Sequence, residues 1–396
     1  MFTRWRKRTA LVAVSVAALM TGGSPAIASP ASDPVSTAKV NCVSFDPATG
    51  LCSVTGVVYA MTQVGGRTYI GGSFTAVSGV SRSNVAAIRA DGTLDPDWNP
   101  STDGVVYAMA ASSDGSKIFL GGGFTTVAGQ AQGRLAAVTA DTGQPITTWK
   151  TTTNTNLVRA LVADSADRLY VGGSFGRIGG HAIPRFAAVS QSTGAGDTAF
   201  VPQPNNTIRV LTLSEDESKL YAGGPFTTMG VVSRPGVAEV LPATGAVTTF
   251  ATNGGAQKIS GVVLSMDITP SGRLFFGTFN NRTWAFDTGS DNLPEYVVQT
   301  SGDVQAILAT DTEVYIGGHF SSFVDSGLKR LHIASFLTQN GSATAWNPGV
   351  NGEYGVWALG LTQTALSPNA VTALSVGGDF TNVAGLARRG YARFNL

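Results

Sequence analysis

The segment YIGGSF at residues 69–74 decides the fold, because six related segments follow it along the chain. Each has a short apolar run, one or two glycines and a closing phenylalanine. They read FLGGGF (119–124), YVGGSF (170–175), YAGGPF (221–226), LFFGTF (274–279), YIGGHF (315–320) and SVGGDF (375–380). The closing phenylalanines are 41 to 60 residues apart, and repetition at a period of about 50 residues is typical of repeat folds. We therefore interpret the chain as seven copies of one unit.

Each unit contains further strand-like runs around this segment. One run precedes it, such as VVYAM at 57–61, and one follows it, such as NVAAI at 84–88. A turn then leads to a fourth run that ends in an aromatic residue such as Trp98. The turns contain the D-G, T-G and N-G pairs that hairpins favour. The pattern predicts an all-β, seven-bladed β-propeller with four-stranded antiparallel blades.

The glycines and the phenylalanine have separate expected roles. A glycine pair lets crowded inner strands approach each other where a side chain would clash. The phenylalanine can bury a large apolar area between neighbouring blades. We therefore expect both residue types to be structural.

The two ends of the chain are expected to meet. The sequence stops at Leu396, after the third run of the last unit. PATG at 47–50 matches PATG at 242–245, the turn between the third and fourth strands of unit four. We predict that the residues after Gly50 form an N-terminal strand that closes the last blade, because an unpaired edge strand is an aggregation hazard.

Residues 1–28 are predicted to be a signal peptide. They contain four basic residues, an apolar run at 11–20 and the A-I-A pattern at 26–28. A membrane anchor is the alternative, but the run is shorter than the ~20 residues of a spanning helix. We expect a flexible linker at 29–40, a propeller domain at 41–396, and secretion to the extracellular space or cell envelope. In an exported protein, the two cysteines, Cys42 and Cys52, are expected to form a disulfide.

Charge argues against a nucleic-acid ligand. The chain has 26 Lys and Arg against 25 Asp and Glu, and four of those cations lie within residues 1–28. Without them the net charge is −3, from 22 cations and 25 anions. Phosphate binding needs a basic excess, so we expect no nucleic-acid partner. We also expect no membrane span and a monomer.

The repeat resembles a known family. Residues 69–79 read YIGGSFTAVSG, with an arginine soon after, and this resembles the delta-60 type repeat of exported bacterial proteins. Related GGxF repeats occur in fungal cell-surface polarity markers. The pattern is also similar to kelch propellers, although it lacks their Tyr and Trp after the glycine pair. The resemblance covers about residues 41–396 and implies a fold rather than an activity.

The resemblance to kelch enzymes does not extend to their copper chemistry. Galactose-oxidase-like enzymes need a copper site with Tyr, His and a cross-linked Cys, and both cysteines here are N-terminal. We predict no cofactor and no metal site.

One position of the first strand varies while its neighbours do not. It is occupied in turn by Tyr59, Tyr107, Arg159, Arg209, Leu264, Gln305 and Trp357. Aromatic, Arg and Gln side chains suit a planar or sugar ligand at the channel mouth. Packing between blades is the alternative.

The x of GGxF gives a second candidate set. His319 and Asp379 occupy it in adjacent units, where they could act as a base or bind a metal, or form a hydrogen bond across two blades. We expect the hydrogen bond, because no further metal-ligand spacing reinforces the pair. An arginine also follows each GGxF segment, and a structural role in binding loop carbonyls is expected for this set: Arg82, Arg134, Arg185, Arg234, Arg282, Arg330 and Arg388.

Three functions fit these patterns. A secreted, non-catalytic propeller that binds an envelope, glycan or protein ligand is the one we favour, because no catalytic set recurs. The alternatives are a propeller enzyme of the lyase, lactonase or glycosidase type acting at the channel mouth, and a structural or assembly module. The six glutamates are scattered over the units, which argues against the enzyme without excluding it.

Overall fold

The structure is a computed structural model that describes residues 54–151, 153, 156–252, 259, 261–289, 293–364 and 367–395. The described residues form strands and turns and contain no helix. The predicted signal peptide, linker, Cys42–Cys52 disulfide and N-terminal closing strand lie outside these residues.

Seven antiparallel sheets of three or four strands follow one another along the described chain. Sheet 1 contains β1 (Val54–Val64), β2 (Arg67–Val77), β3 (Val80–Ser81) and β4 (Val85–Ile88). Sheet 2 contains β5 (Val106–Ala111), β6 (Lys117–Gly122) and, after the short ribbon β7 (Thr126–Val127) and β8 (Gln130–Ala131), β9 (Leu135–Thr139). Sheet 3 contains β10 (Val158–Ala163), β11 (Arg168–Gly173) and β12 (Phe186–Ser190).

The remaining sheets repeat this plan. Sheet 4 contains β13 (Val210–Leu213), β14 (Leu220–Gly223) and, after the ribbon β15 (Thr228–Met229) and β16 (Val232–Ser233), β17 (Val237–Val240). Sheet 5 contains β18 (Val263–Ile268), β19 (Arg273–Thr278), β20 (Arg282–Asp287) and β21 (Pro294–Gln299). Sheet 6 contains β22 (Val304–Ala309), β23 (Glu313–Gly318) and β24 (Ile333–Leu337). Sheet 7 contains β25 (Val356–Thr364), β26 (Ser367–Gly378) and, after the ribbon β27 (Asn382–Val383) and β28 (Leu386–Ala387), β29 (Tyr391–Asn395).

The prediction of four full strands in every unit is wrong. Within the described residues only sheet 5 has a complete fourth ladder strand, β21. In sheets 1, 2, 3, 4 and 6 the returning chain makes a single backbone bridge to the third strand, as between Val138 and Pro145. Proline has no N–H to donate to a ladder. The run still makes two backbone hydrogen bonds, from the Thr139 amide to the Gln144 carbonyl and from the Ile146 amide to the Ala137 carbonyl, both at 2.9 Å. The aromatic residue that ends the run adds a contact to the next sheet: Trp149 is buried, and its Nε1 donates a hydrogen bond to the Ser190 carbonyl at 3.0 Å.

The first glycine of each unit packs against the first-strand side of the next sheet. A Cβ added to Gly121 would lie 2.5 Å from Val158 Cγ1, and one added to Gly377 would lie 2.7 Å from Val58 Cγ1. In every sheet the atoms that such a Cβ would meet include those of a fully buried valine or isoleucine of the next sheet. The pairs are Gly71–Val106, Gly121–Val158, Gly172–Ile208, Gly223–Val263, Gly277–Val304, Gly317–Val356 and Gly377–Val58.

These contacts give the sheets a cyclic order. Each first strand contacts the first strand of the next sheet, from β1 and β5 through to β22 and β25, and β25 contacts β1. The apolar core is correspondingly divided into clusters that each join two neighbouring sheets. One such cluster packs Tyr391 of sheet 7 against Val58 and Phe74 of sheet 1. The arrangement is of the β-propeller type.

Asp267 is a buried carboxylate between sheets 5 and 6. Its two oxygens accept hydrogen bonds from the amides of Ile268 (2.9 Å) and, in β22, Ala309 (2.8 Å). Burial raises the pKa of Asp267 to about 7, although the two amide bonds oppose this shift.

This pKa predicts that Asp267 makes stability depend on pH. The folded pKa of about 7 exceeds the ordinary unfolded value of about 3.9. The folded protein therefore binds more protons than the unfolded chain between these values, and stability falls as pH rises through the window. In chemical denaturation, the free energy of unfolding of the wild type minus that of Asp267→Asn should decrease from pH 4 to pH 7. A difference that is constant over this range would contradict the assignment, and Asp325→Asn at an exposed turn is the control.

Candidate functional site

The first strands surround a cavity of about 680 Å³ that is lined by residues of all seven sheets. The lining includes every residue at the variable first-strand position: Tyr59, Tyr107, Arg159, Arg209, Leu264, Gln305 and Trp357. The structure therefore places six of the eight predicted ligand-binding residues in the lining of one cavity, and His319 and Asp379 lie outside that lining.

A β-bulge aims these side chains into the cavity. Val58 pairs with Gly72 and Ala60 pairs with Gly71, so Tyr59 has no partner on β2. The same shift falls at Tyr107, Arg159, Leu264, Gln305 and Trp357. An extra residue in one strand is left unpaired, and its side chain is re-aimed. The second glycine makes room for it, because a Cβ at Gly122 would overlap the Val105 carbonyl oxygen.

Aromatic rings form a continuous series along sheets 2, 1, 7 and 6, which we call the aromatic arc. Its members are Tyr107, Tyr59, Trp357, Tyr354 and His319. Successive ring centroids are 5.5, 5.2, 6.2 and 5.8 Å apart. Tyr354, which is 45 % exposed, precedes the first strand of sheet 7. No sequence pattern marks it, because it has no counterpart in the other units. Ring faces in such a row offer flat apolar surface beside polar groups.

The expected hydrogen bond between His319 and Asp379 is wrong. His319 Nδ1 lies 3.7 Å from Asp303 Oδ1, and the Gln305 side-chain amide donates to Asp303 Oδ2 at 2.8 Å. Asp379 instead accepts the backbone amides of Tyr354 (2.9 Å) and Gly355 (2.7 Å). These two hydrogen bonds fix the backbone of the turn before β25. Asp379 therefore positions Tyr354 of the aromatic arc.

His332 lies beside His319, with ring centroids 6.1 Å apart, but it has a structural position. It is buried, its φ is 61°, and it occupies the left-handed residue before a third strand. Burial lowers its pKa, so the imidazole is neutral near pH 7. Among the described residues, no group of three or more His, Cys, Asp or Glu side chains could hold a metal ion.

The arginines that follow the GGxF segments do not form one equivalent set. Arg234 and Arg330 each donate from Nη2 to a carbonyl of the returning fourth run, Thr248 and Thr344, both at 2.7 Å. Arg134 and Arg185 instead occupy the left-handed position before the third strand, with φ of 64° and 67°. The loop contacts support the structural role expected for these residues.

Phe279 corrects the expected role of the closing phenylalanine. The other six are buried, with exposure of 2 % or less, but Phe279 is 64 % exposed and lines the cavity. Gly277 pairs with the residue after the bulge, as Gly71 does in sheet 1, so Phe279 occupies the x position rather than that of the closing phenylalanine. Its amide accordingly donates to the Val262 carbonyl, as the amides at the x position of other sheets do to the equivalent carbonyls. Sheet 5 thus adds an exposed aromatic side chain to the cavity.

Comparison with known proteins supports the fold and leaves function open. A family model described as "Domain of unknown function (DUF5122) beta-propeller" matches residues 66–97. No curated protein matches. A structure titled "Structure of U3-55K" is similar at TM-score 0.58 and 11 % identity, covering 87 % of this chain and 98 % of that one. The crystal structure of the computationally designed Ika8 protein is similar at TM-score 0.52 and 11 % identity, covering 90 % and 99 %.

Two conclusions follow from these matches and from the secondary structure. At such identity the likeness concerns the fold alone, and the chain is an all-β protein of the propeller type. The part of the chain that the structure describes has no helix long and apolar enough to cross a membrane.

The position of Asp379 predicts unequal effects of two substitutions. Asp379→Ala removes the acceptor of two backbone amides and should lower the free energy of unfolding by about 1 kcal/mol, the usual scale for a lost hydrogen bond. His319→Ala should change it little, because His319 is half exposed and such ion pairs contribute little. Equal losses in chemical denaturation at pH 7 would show instead that the two side chains act as a pair.

Proposed function

We propose that this chain is an exported, monomeric, seven-bladed β-propeller of the delta-60 repeat type that binds a ligand at the mouth of its axial cavity. The cyclic contacts of seven sheets support the blade number. The Val54 amide donates to the Arg389 carbonyl at 3.2 Å, which brings the start of β1 beside sheet 7. This contact supports closure of the last blade by the preceding residues.

The aromatic arc is the observation that carries the binding proposal. Four of its five rings, Tyr354, Trp357, Tyr59 and Tyr107, line a cavity of about 680 Å³. Small-molecule sites have volumes on the order of 300–1,000 Å³ and combine aromatic walls with a few polar groups. A concave wall of this kind fits a sugar ring better than the flat face of a protein, so a glycan is the ligand we propose.

One feature favours catalysis as a second candidate function. A histidine beside a carboxylate can act as a general base, and His319 with Asp303 stands at the edge of the arc. A propeller enzyme of the lyase or glycosidase type would use this pair on a glycan held by the same rings. Shortened glycans after incubation with the wild type, but not with His319→Ala, would favour this function over binding alone.

Binding to a glycan array tests the proposal. The wild-type protein should bind at least one class of glycan on the array. Trp357→Ala should weaken that binding about tenfold, since an aromatic contact contributes about 1 kcal/mol or more. Val231→Ala is the matched control, because Val231 is fully exposed and does not line the cavity. Equal binding by Trp357→Ala and wild type would remove the cavity mouth as the site.

A further inference from the structure

We propose that Arg159 and Arg209 form an anion subsite in the cavity, so that the ligand is an acidic carbohydrate carrying a carboxylate or phosphate group. This inference rests on the proposed function, because it names the chemical class of ligand for the same cavity. Two observations support it: both guanidinium groups belong to residues that line the cavity, and neither has a carboxylate partner among the described residues.

Arg159 and Arg209 occupy corresponding positions on neighbouring sheets. Arg159 is the bulged residue of β10, and Arg209 directly precedes β13 with its amide donating to the Gly223 carbonyl at 2.8 Å. Both line the cavity. The backbone that carries each side chain is therefore held in a sheet, as a preorganised binding group requires.

The Arg159 guanidinium extends the aromatic arc. Its Cζ lies 5.0 Å from the Tyr107 ring centroid, within the range of a cation–π contact. Arg159 therefore stands at the end of the arc opposite to His319. A sugar ring packed on Tyr107 would place an acidic substituent beside Arg159 and Arg209.

Neither arginine has a carboxylate partner in the described residues, although other arginines of the chain do. Arg67 and Arg89 pair with Asp95, Arg168 with Asp197, and Arg273 with Glu295. Asp303, the one acidic residue in the described lining, lies on sheet 6 and already accepts from Gln305.

Two unneutralised charges in a cavity favour an anion. Burial and the neighbouring charge of Arg159 lower the pKa of Arg209, which is the expected response to an unpaired like charge. A bound carboxylate or phosphate would neutralise both groups and could accept paired hydrogen bonds from the planar guanidinium forks. This geometry makes an anionic group a better occupant than a neutral hydroxyl.

Chemical modification tests the subsite without knowledge of the glycan. Phenylglyoxal labels accessible arginines, and mass spectrometry of the full chain locates the labelled residues. Inorganic phosphate and malonate, used separately, should slow labelling of Arg159 and Arg209 several-fold and leave the exposed Arg389 unchanged. The anion that slows labelling more at equal concentration identifies the preferred group, phosphate or carboxylate. Labelling of Arg159 and Arg209 that neither anion slows would overturn the subsite.

Calorimetric titration tests the ligand class. The probes are trigalacturonic acid and its neutral trimethyl ester. Wild type and Arg389→Gln should bind the acid at least tenfold more tightly, and the double variant Arg159→Gln/Arg209→Gln should lose that preference. The preference should also fall between 50 mM and 500 mM salt, because screening weakens exposed charge interactions. A preference that survives in the double variant would overturn the subsite.

The two proposals fail in distinguishable ways. If phosphate or malonate protects the arginines but no glycan binds, the anion subsite stands and the carbohydrate ligand falls. If the acid and its ester bind equally and Trp357→Ala weakens both, the glycan site stands and the anion subsite falls.

Discussion

The close approach between a glycine and a valine or isoleucine on successive sheets is the constraint on which the structure depends. The first glycine of every unit faces a fully buried β-branched side chain of the next sheet, at distances that leave no room for a Cβ. This contact sets the spacing between the inner strands. Because interiors are close-packed, a side chain at the glycine would push the sheets apart. In the units with two glycines the second glycine then admits the bulge in the facing first strand, and in sheet 5 Thr278 occupies that position.

Because of the bulge, the residue that faces the cavity differs from the residues that hold the sheet together. The bulge turns one side chain per unit into the cavity, while the residues on either side remain in the ladder. The bulged residue can therefore change without loss of the fold, and Tyr107, Arg159 and Leu264 show how widely it does. Function in such a fold depends on what is placed at these positions. Here that placement puts aromatic rings on one side and two cations beside them.

The sequence predicted the repeated parts of the molecule and missed those that occur once. The seven sheets and the cavity-facing position follow from repetition, because a period shows which positions are shared. Tyr354 and the pairing of His319 with Asp303 belong to single units, so no period marks them. Phe279 was expected to be buried, because aligning the motifs on the phenylalanine hides a one-residue shift in sheet 5 that places this ring at the x position. The fourth strands were overestimated because most of these runs make a single backbone bridge before their terminal aromatic residue packs into the core.

A double-mutant cycle between Gly377 and Val58 tests the central claim most directly, because these residues join the last sheet to the first. Gly377→Ala should lower the free energy of unfolding by about 1–3 kcal/mol through overpacking. Val58→Ala should also destabilise, and in the double variant the new methyl group should fill the vacated space. The account predicts a combined loss smaller than the sum by at least about 0.5 kcal/mol. Additive losses would contradict it. Gly133→Ala should show little effect, because its Cβ would meet only the Thr153 carbonyl oxygen, at an ordinary contact distance of 3.9 Å.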